Sequence, residues 1–290
     1  MKATNLNYQK TRAAWVFISP ALILFLCFMV WPIIDSFMMS FYFIRGERQS
    51  FVGLGNYIRL MQDTIFWRSV WNMFIILIIQ VPIMLFLAMV FASILNNPLL
   101  KFKGLFRVSI FLPTVTSLVA YAIIFFMLLS FEGIVNSMLK SLHLTPLNWL
   151  DNPILAKVSI MIAITWRWTG YNMIIFLAAM QNIPSSLYEA ASIDGAKAWQ
   201  KFMFITVPQL RPVMLFTAVL STIGTIQLFD EPMNLTRGGP SDATLSPTMY
   251  LYNTAFRASN VGYGAAIAWG IVVLVVILAI IQFKILGKDD

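Results

Sequence analysis

Residues 69–100 read SVWNMFIILIIQVPIMLFLAMVFASILNNPLL, with no charged side chain between Arg68 and Lys101. The hydrocarbon core of a bilayer is about 30 Å thick and takes about 20 helical residues at a rise of about 1.5 Å each. The stretch exceeds that length. Its apolar residues fall on every side of a helix rather than on one stripe, as in a helix surrounded by lipid or by other helices. Barrel strands alternate polar and apolar residues in units of about ten, and this stretch does not. Reading outward, the pattern recurs. The predicted spans are 13–34, 70–95, 108–131, 157–180, 211–230 and 262–285. The expected fold is all-α: a polytopic membrane protein of six transmembrane helices, one transmembrane domain over 1–290, with both termini on the same side.

Composition agrees with that reading. Hydrophobic residues make up 59% of the 290 and charged residues 11%, against roughly 45–50% and about 25% in soluble domains. A soluble domain, a disordered chain, a collagen, a disulfide scaffold and a nucleic-acid binder are all excluded. The net charge of +8 then describes basic loops rather than a DNA footprint. The N-terminus (Lys2, Lys10, Arg12), the second loop (Lys101, Lys103, Arg107), the fourth (Lys197, Lys201, Arg211) and the tail (Lys284, Lys288) hold most of the basic residues. The positive-inside rule makes that side cytoplasmic. Cys27 and His143 are the only residues of their kinds, so a disulfide within the chain and a cysteine-rich metal site are impossible. They read as a packing residue and a loop residue. The first span is too long for a signal peptide, and Trp31-Pro32 stands where a small-residue cleavage site would follow. It is expected to remain as an anchor.

The loops carry the local signals. In the first outer segment, Asn56 is placed to cap a short helix through Met61, with Tyr57 and Trp67 at the membrane interface. The fourth loop, 181–210, pairs Ser186 with Glu189 three residues on, a capping-box pattern that predicts a helix start. Ala190 and Ala191 propagate the helix and Gly195 breaks it. A second helix over 196–207 ends at Pro208, with Trp199 and Phe202 on one face. Two short helices hinged at a glycine make a knob, either a surface loop or a plug for a soluble partner.

The run Glu189-Ala190-Ala191-Ser192-Ile193-Asp194-Gly195-Ala196, with Ile205 and Pro208 beyond it, resembles the EAA loop of ABC importer permeases. Val207 stands where that family has leucine. The likeness extends over most of the chain: Trp31-Pro32, Gly53 to Tyr57, Arg107 to Pro113, Gly133 to Asn136, Asn148 to Leu150, Thr236 to Pro240, Tyr252 to Phe256 and Gly262 to Ala266. The combination is similar to the maltose- and glycerol-phosphate-type sugar-uptake branch, to the first of its two permease subunits. The resemblance implies a chain in the cytoplasmic membrane of a prokaryote. Its partners would be a second homologous permease, an ATPase dimer, an extracytoplasmic sugar-binding protein, a carbohydrate and membrane lipid, with no nucleic acid. Glu189, Ala190, Ala191, Asp194 and Gly195 would couple to the ATPase. The sequence has no phosphate-binding Gly-x-x-x-x-Gly-Lys loop; its one Gly-Lys pair, Gly287-Lys288, is followed by Asp289. No cofactor is expected in this chain, and ATP and Mg would belong to the ATPase.

Arg167 interrupts the fourth span, where an unpaired charge costs about 2.5–3.5 kcal/mol. It either lines a cavity, meeting Asp230 or Glu231, or snorkels beside Trp166 and Trp168. Tyr171, four residues on, stands where the resemblance implies sugar contact, as do Ser221, Gly224 and Thr225; Gln227 extends that polar face. Close helix packing is the competing reading for the hydroxyls. A phosphorylated substrate would need several basic groups at mid-membrane, so a neutral di- or oligosaccharide is favoured over a glycerol or sugar phosphate. A stand-alone secondary transporter and a membrane-embedded enzyme are the readings from other classes.

Overall fold

The computed structural model describes residues 2–97 and 99–286, and the side chains of 14–97 and 99–285. The Gly287-Lys288 pair lies outside the described residues, as do the side chains of Lys2, Lys10 and Arg12. The chain forms two compact units, the first from Met1–Gln62 and Leu251–Gly270, the second from Asp63–Tyr250 and Ile271–Asp290.

In the first unit, α1 (Lys2–Phe25) runs through a π-helical turn, Leu26–Val30, into α2 (Trp31–Met39). Its apolar face is open: Phe17, Phe28 and Trp31 are exposed, and so is Cys27. An antiparallel hairpin follows, β1 (Tyr42–Arg45) and β2 (Arg48–Phe51), with Tyr42 opposite Phe51. Its two-residue connection places Gly46 at φ 60°, the sign a primed hairpin turn requires. This hairpin is the one sheet among the described residues of an otherwise helical chain. Next comes α3 (Gly55–Gln62). Asn56 is inside it, not capping it. The Asn56 amide is buried and donates to the carbonyls of Ser40 and Tyr42, 2.9 Å each, and Tyr57 Oη lies 2.6 Å from Ser40 Oγ. The segment is therefore tied together by hydrogen bonds of its own.

The second unit is built on two long helices, α4 (Thr64–Asn96) and, later in the chain, one over Pro153–Met180. Asp63 caps α4 by accepting from the Ile65 and Phe66 amides, and Tyr250 Oη donates to its other oxygen at 2.6 Å. Between them, α5 (Lys103–Val115), α6 (Leu118–Leu129) and α7 (Ile134–Ser141) precede α8 (Pro153–Met180). Along α4, Met84, Ala88, Ala92 and Leu95 recur at helical spacing and pack against Met173, Phe176 and Met180 of α8. A Cβ at Gly170 would overlap the carbonyl oxygen of Ile110, so α5 and α8 meet backbone to backbone there.

The third predicted span, 108–131, is not one helix. It breaks between α5 and α6, where Thr116 is extended at φ −70° and ψ 149°. The fourth loop also differs from expectation. It comprises α9 (Ser185–Ile193), α10 (Ala198–Lys201), a π-helical turn Phe202–Thr206 and α11 (Val207–Gln209). Pro184, in extended conformation, starts α9 one residue before Ser186, so Ser186 and Glu189 lie inside the helix and no side chain caps it. Pro208 occupies a first-turn position, where no amide donor is needed, and the helix continues past it. The chain then turns by 70° at Leu210 into α12 (Arg211–Ile226), so the fifth crossing is half of a bent pair. Finally α13 (Pro247–Tyr252) leads to α14 (Val261–Leu286). Among the described residues, five helical stretches are long and apolar enough to cross a membrane, or six if the bent pair counts as one span.

Candidate functional site

The second unit holds a half-open cavity of about 560 Å³, within the range of about 300–1,000 Å³ usual for small-molecule sites. From α8 it is lined by Ile164, Trp168, Tyr171 and Asn172, which recur at three- and four-residue steps and so share one helix face. From α12 come Leu220, Ser221, Gly224 and Thr225, spaced in the same way. Gln227 to Glu231 close one side, Gln80 and Met84 of α4 another, and Leu118 at the start of α6 completes the wall.

Five of the six expected substrate residues therefore line one cavity: Tyr171, Ser221, Gly224, Thr225 and Gln227. Tyr171 is half-exposed and meets Trp168 edge to face, with ring centroids 5.9 Å apart. A Cβ at Gly224 would meet nothing within 4 Å, so bulk added there enters open space.

Arg167 is not in the lining. It is buried at 5% exposure and turned toward the helix break. It donates to the carbonyls of Thr116 at 3.0 Å and Thr114 at 3.3 Å, and Thr114 Oγ1 donates back to the Arg167 carbonyl at 3.0 Å. The last carbonyls of a helix have no intrahelical partner, and the guanidinium supplies one. Its carbon also sits 4.7 Å above the centre of the Tyr121 ring, and the Tyr121 hydroxyl donates to Glu231. The expected meeting with Glu231 is thus indirect, through Tyr121, and no ion pair joins Arg167 to Asp230 or Glu231 among the described residues.

Gln80, Trp168 and Asn172 were not singled out as site residues. A signal existed for each. Gln80 is a lone amide in the middle of an apolar window, and Trp168 and Asn172 flank Tyr171 at helical spacing.

The coupling candidates lie together on the loop knob. Glu189, Ala190, Asp194 and Gly195 are exposed, while Ala191 is half-buried. Gly195 has φ +74°, a conformation that other residues rarely adopt, and it turns the chain out of α9. The knob is braced by Tyr188 Oη against Thr206 Oγ1 at 2.9 Å and by Lys201 Nζ donating to Ser192 Oγ at 2.6 Å. Trp199 is exposed while Phe202 packs on the helix core, so the two do not form the shared face expected; Trp199 instead neighbours Phe204, ring centroids 6.2 Å apart. Ile193, Trp199 and Phe204 leave apolar surface open around α9 and α10.

Residues 52–286 match the family model described as the binding-protein-dependent transport system inner membrane component. The lactose transport system permease protein LacF of Rhizobium radiobacter is 49% identical over 93% of this chain and 92% of its own. The arabinooligosaccharides transport system permease protein AraP of Bacillus subtilis is 36% identical over 98% and 91%. The fold superposes on a chain of a bacterial ABC transporter involved in import of the acidic polysaccharide alginate, with a TM-score of 0.86, 21% identity and 99% of each chain covered. The chain belongs to the family of binding-protein-dependent transport system inner membrane components, and is a non-catalytic, multi-pass permease subunit of an ABC-type import system in the inner membrane.

Proposed function

We propose that this chain is the transmembrane subunit of an ATP-driven importer for a neutral di- or oligosaccharide. The observation that carries the reading is the cavity lining. It holds the Trp168–Tyr171 pair, neutral hydrogen-bonding groups on Gln80, Asn172, Ser221, Thr225 and Gln227, and the carboxyl groups of Asp230 and Glu231, but no Lys, Arg or His. Carbohydrates need ring faces for their C–H patches and donors and acceptors for their hydroxyls. A glycerol or sugar phosphate would instead meet two acidic groups and no cation, since Arg167 lies outside the lining with its two terminal nitrogens turned to the helix break. The lactose and arabinooligosaccharide systems named for the relatives support the same substrate class.

The coupling role falls to Glu189, Ala190, Ala191, Asp194 and Gly195, on an exposed knob with apolar surface around it. A separate ATPase dimer would seat there and supply ATP and Mg chemistry. A second permease, with this chain as the first of the pair in a maltose- or glycerol-phosphate-type system, and an extracytoplasmic binding protein complete the assembly. Both termini lie in the cytoplasm in this reading, on the strength of loop charge.

The test is co-purification of the assembly and its reconstitution in vesicles with labelled lactose, an arabinooligosaccharide and glycerol phosphate. ATP-dependent uptake of a neutral sugar is expected. Uptake by this chain alone under an ion gradient, or uptake of the phosphate only, overturns the reading.

A further inference from the structure

Among the side chains that line the cavity, Gln80 alone carries a buried oxygen without a hydrogen-bond partner. The residue sits midway along α4 and is 1% exposed. Its amide nitrogen is committed, to Thr165 Oγ1 at 3.3 Å and Met84 Sδ at 3.3 Å, while Oε1 receives nothing. Asn172, the other buried amide of the lining, donates to the Trp168 carbonyl at 3.0 Å and has no polar atom that is both buried and unpartnered. Buried acceptors without partners are rare, and each asks for an explanation. Leaving one unsatisfied is destabilising, and more so at membrane depth, where water is scarce. Packing does not explain the residue. A leucine of similar size would fill the space beside Met84 without that penalty, and the neighbours of Gln80 along α4, Ile78, Ile79 and Val81, are all aliphatic.

We propose that Gln80 is a specificity-determining residue: its oxygen, covered in this structure, is uncovered as the sugar seats in the cavity and accepts a hydroxyl hydrogen from it. The inference rests on the carbohydrate reading above and extends the recognition surface to α4, a helix that neither the loop motif nor the polar faces of α8 and α12 brought forward. The direction of the hydrogen bond sets the chemistry. Oε1 only accepts, so it reads a donor. A hydroxyl satisfies it, whereas the same position as a deoxy carbon, a fluorine or a carboxylate leaves it unpaired or repelled. Sites built to bond a hydroxyl discriminate strongly against analogues that lack it, because the buried protein group is stranded. The amide nitrogen, held by Thr165, fixes which way the oxygen points.

The experiment uses the whole reconstituted assembly and the sugar that it transports best from a panel of lactose, maltose and trehalose. Uptake of that sugar is compared with uptake of its singly deoxygenated analogues, for the parent and for Gln80→Leu and Gln80→Glu. The binding protein is the same in every assay, so a change in the ratio between sugar and analogue belongs to the permease. In the parent, one deoxy analogue is expected to be taken up about tenfold less well than the sugar, the worth of one hydrogen bond. Gln80→Leu is expected to abolish that discrimination at that one position and leave the others unchanged. Gln80→Glu, which keeps an acceptor, is expected to retain it. Equal ratios in parent and Gln80→Leu overturn the proposal, and a trapped water then satisfies Oε1. Loss of discrimination at every position also overturns it, since the residue then acts by shaping the cavity. If the parent assembly transports no sugar of the panel but moves a phosphate, the carbohydrate reading itself has failed, an outcome distinct from both.

Discussion

Replacing Arg167 by methionine removes the cation that closes the break between α5 and α6. The two hydrogen bonds, to Thr116 at 3.0 Å and Thr114 at 3.3 Å, have a charged donor, and such bonds contribute about 1.5–3 kcal/mol each. The contact with the Tyr121 ring, at 4.7 Å, adds about 0.5–2 kcal/mol. Against these stands the cost of holding a charge at membrane depth, about 2.5–3.5 kcal/mol, which methionine relieves. The balance is a net loss of about 0–5.5 kcal/mol, about 3 kcal/mol at the midpoints. Lysine makes the sharper comparison. It keeps the whole membrane cost, yet one ammonium cannot span two carbonyls as the planar fork does. Arg167→Lys is therefore expected to be no more stable than Arg167→Met. The assay is thermal unfolding of the purified assembly in detergent, with the uptake ratio among sugars measured alongside. Both variants should unfold at lower temperature than the parent. A lysine variant that melts like the parent refutes the fork argument. Parental melting combined with altered sugar selectivity, in either variant, returns Arg167 to the substrate path.

Three other outcomes are expected. Glu189→Lys and Gly195→Val should leave membrane levels near normal while ATP-dependent uptake and ATPase co-purification fall; valine at φ +74° costs about 1–2 kcal/mol, confined to the knob, and normal transport by both variants would remove the coupling assignment. Tyr171→Ala should lower sugar uptake several-fold while the ATPase still co-purifies, and unchanged uptake would make Tyr171 a packing residue. Gly224→Phe, entering space that is empty for at least 4 Å, should shift competition toward smaller sugars in vesicles, and an unaltered ranking of mono-, di- and trisaccharides would mean that α12 does not bound the substrate.

The long spans were legible because a bilayer demands length and uniform apolarity, which composition reports directly; α4 and α14 need no further signal. The break at Thr116 was hidden for a related reason. Hydropathy averages side chains and is blind to which carbonyls go unpaired, and the residue that satisfies these, Arg167, lies some fifty positions further along. Pro113 was the only local hint. The loop knob was half legible. Gly195 had to turn the chain and does, but Ser186 was read as a cap without allowing for Pro184, whose extended backbone starts the helix earlier. The positions that the resemblance implies on α8 and α12 line the cavity, while α4 gives no such signal, because a single amide among aliphatics forms no pattern. The hairpin at 42–51 was missed because its few residues sit beside spans whose signal dominates any window.

The overlap that a Cβ at Gly170 would make with the Ile110 carbonyl has a consequence for how this sequence can change over time. Every amino acid reachable from glycine adds at least that one atom, so mutation at this site offers no mild alternative to sample. The obstacle is main chain, present whatever residue occupies position 110, and no compensating side-chain change there removes it. A lineage that lost the glycine would have to displace α5 as a body and, with it, the carbonyls that Arg167 holds. Position 170 is therefore one at which drift is closed off by geometry.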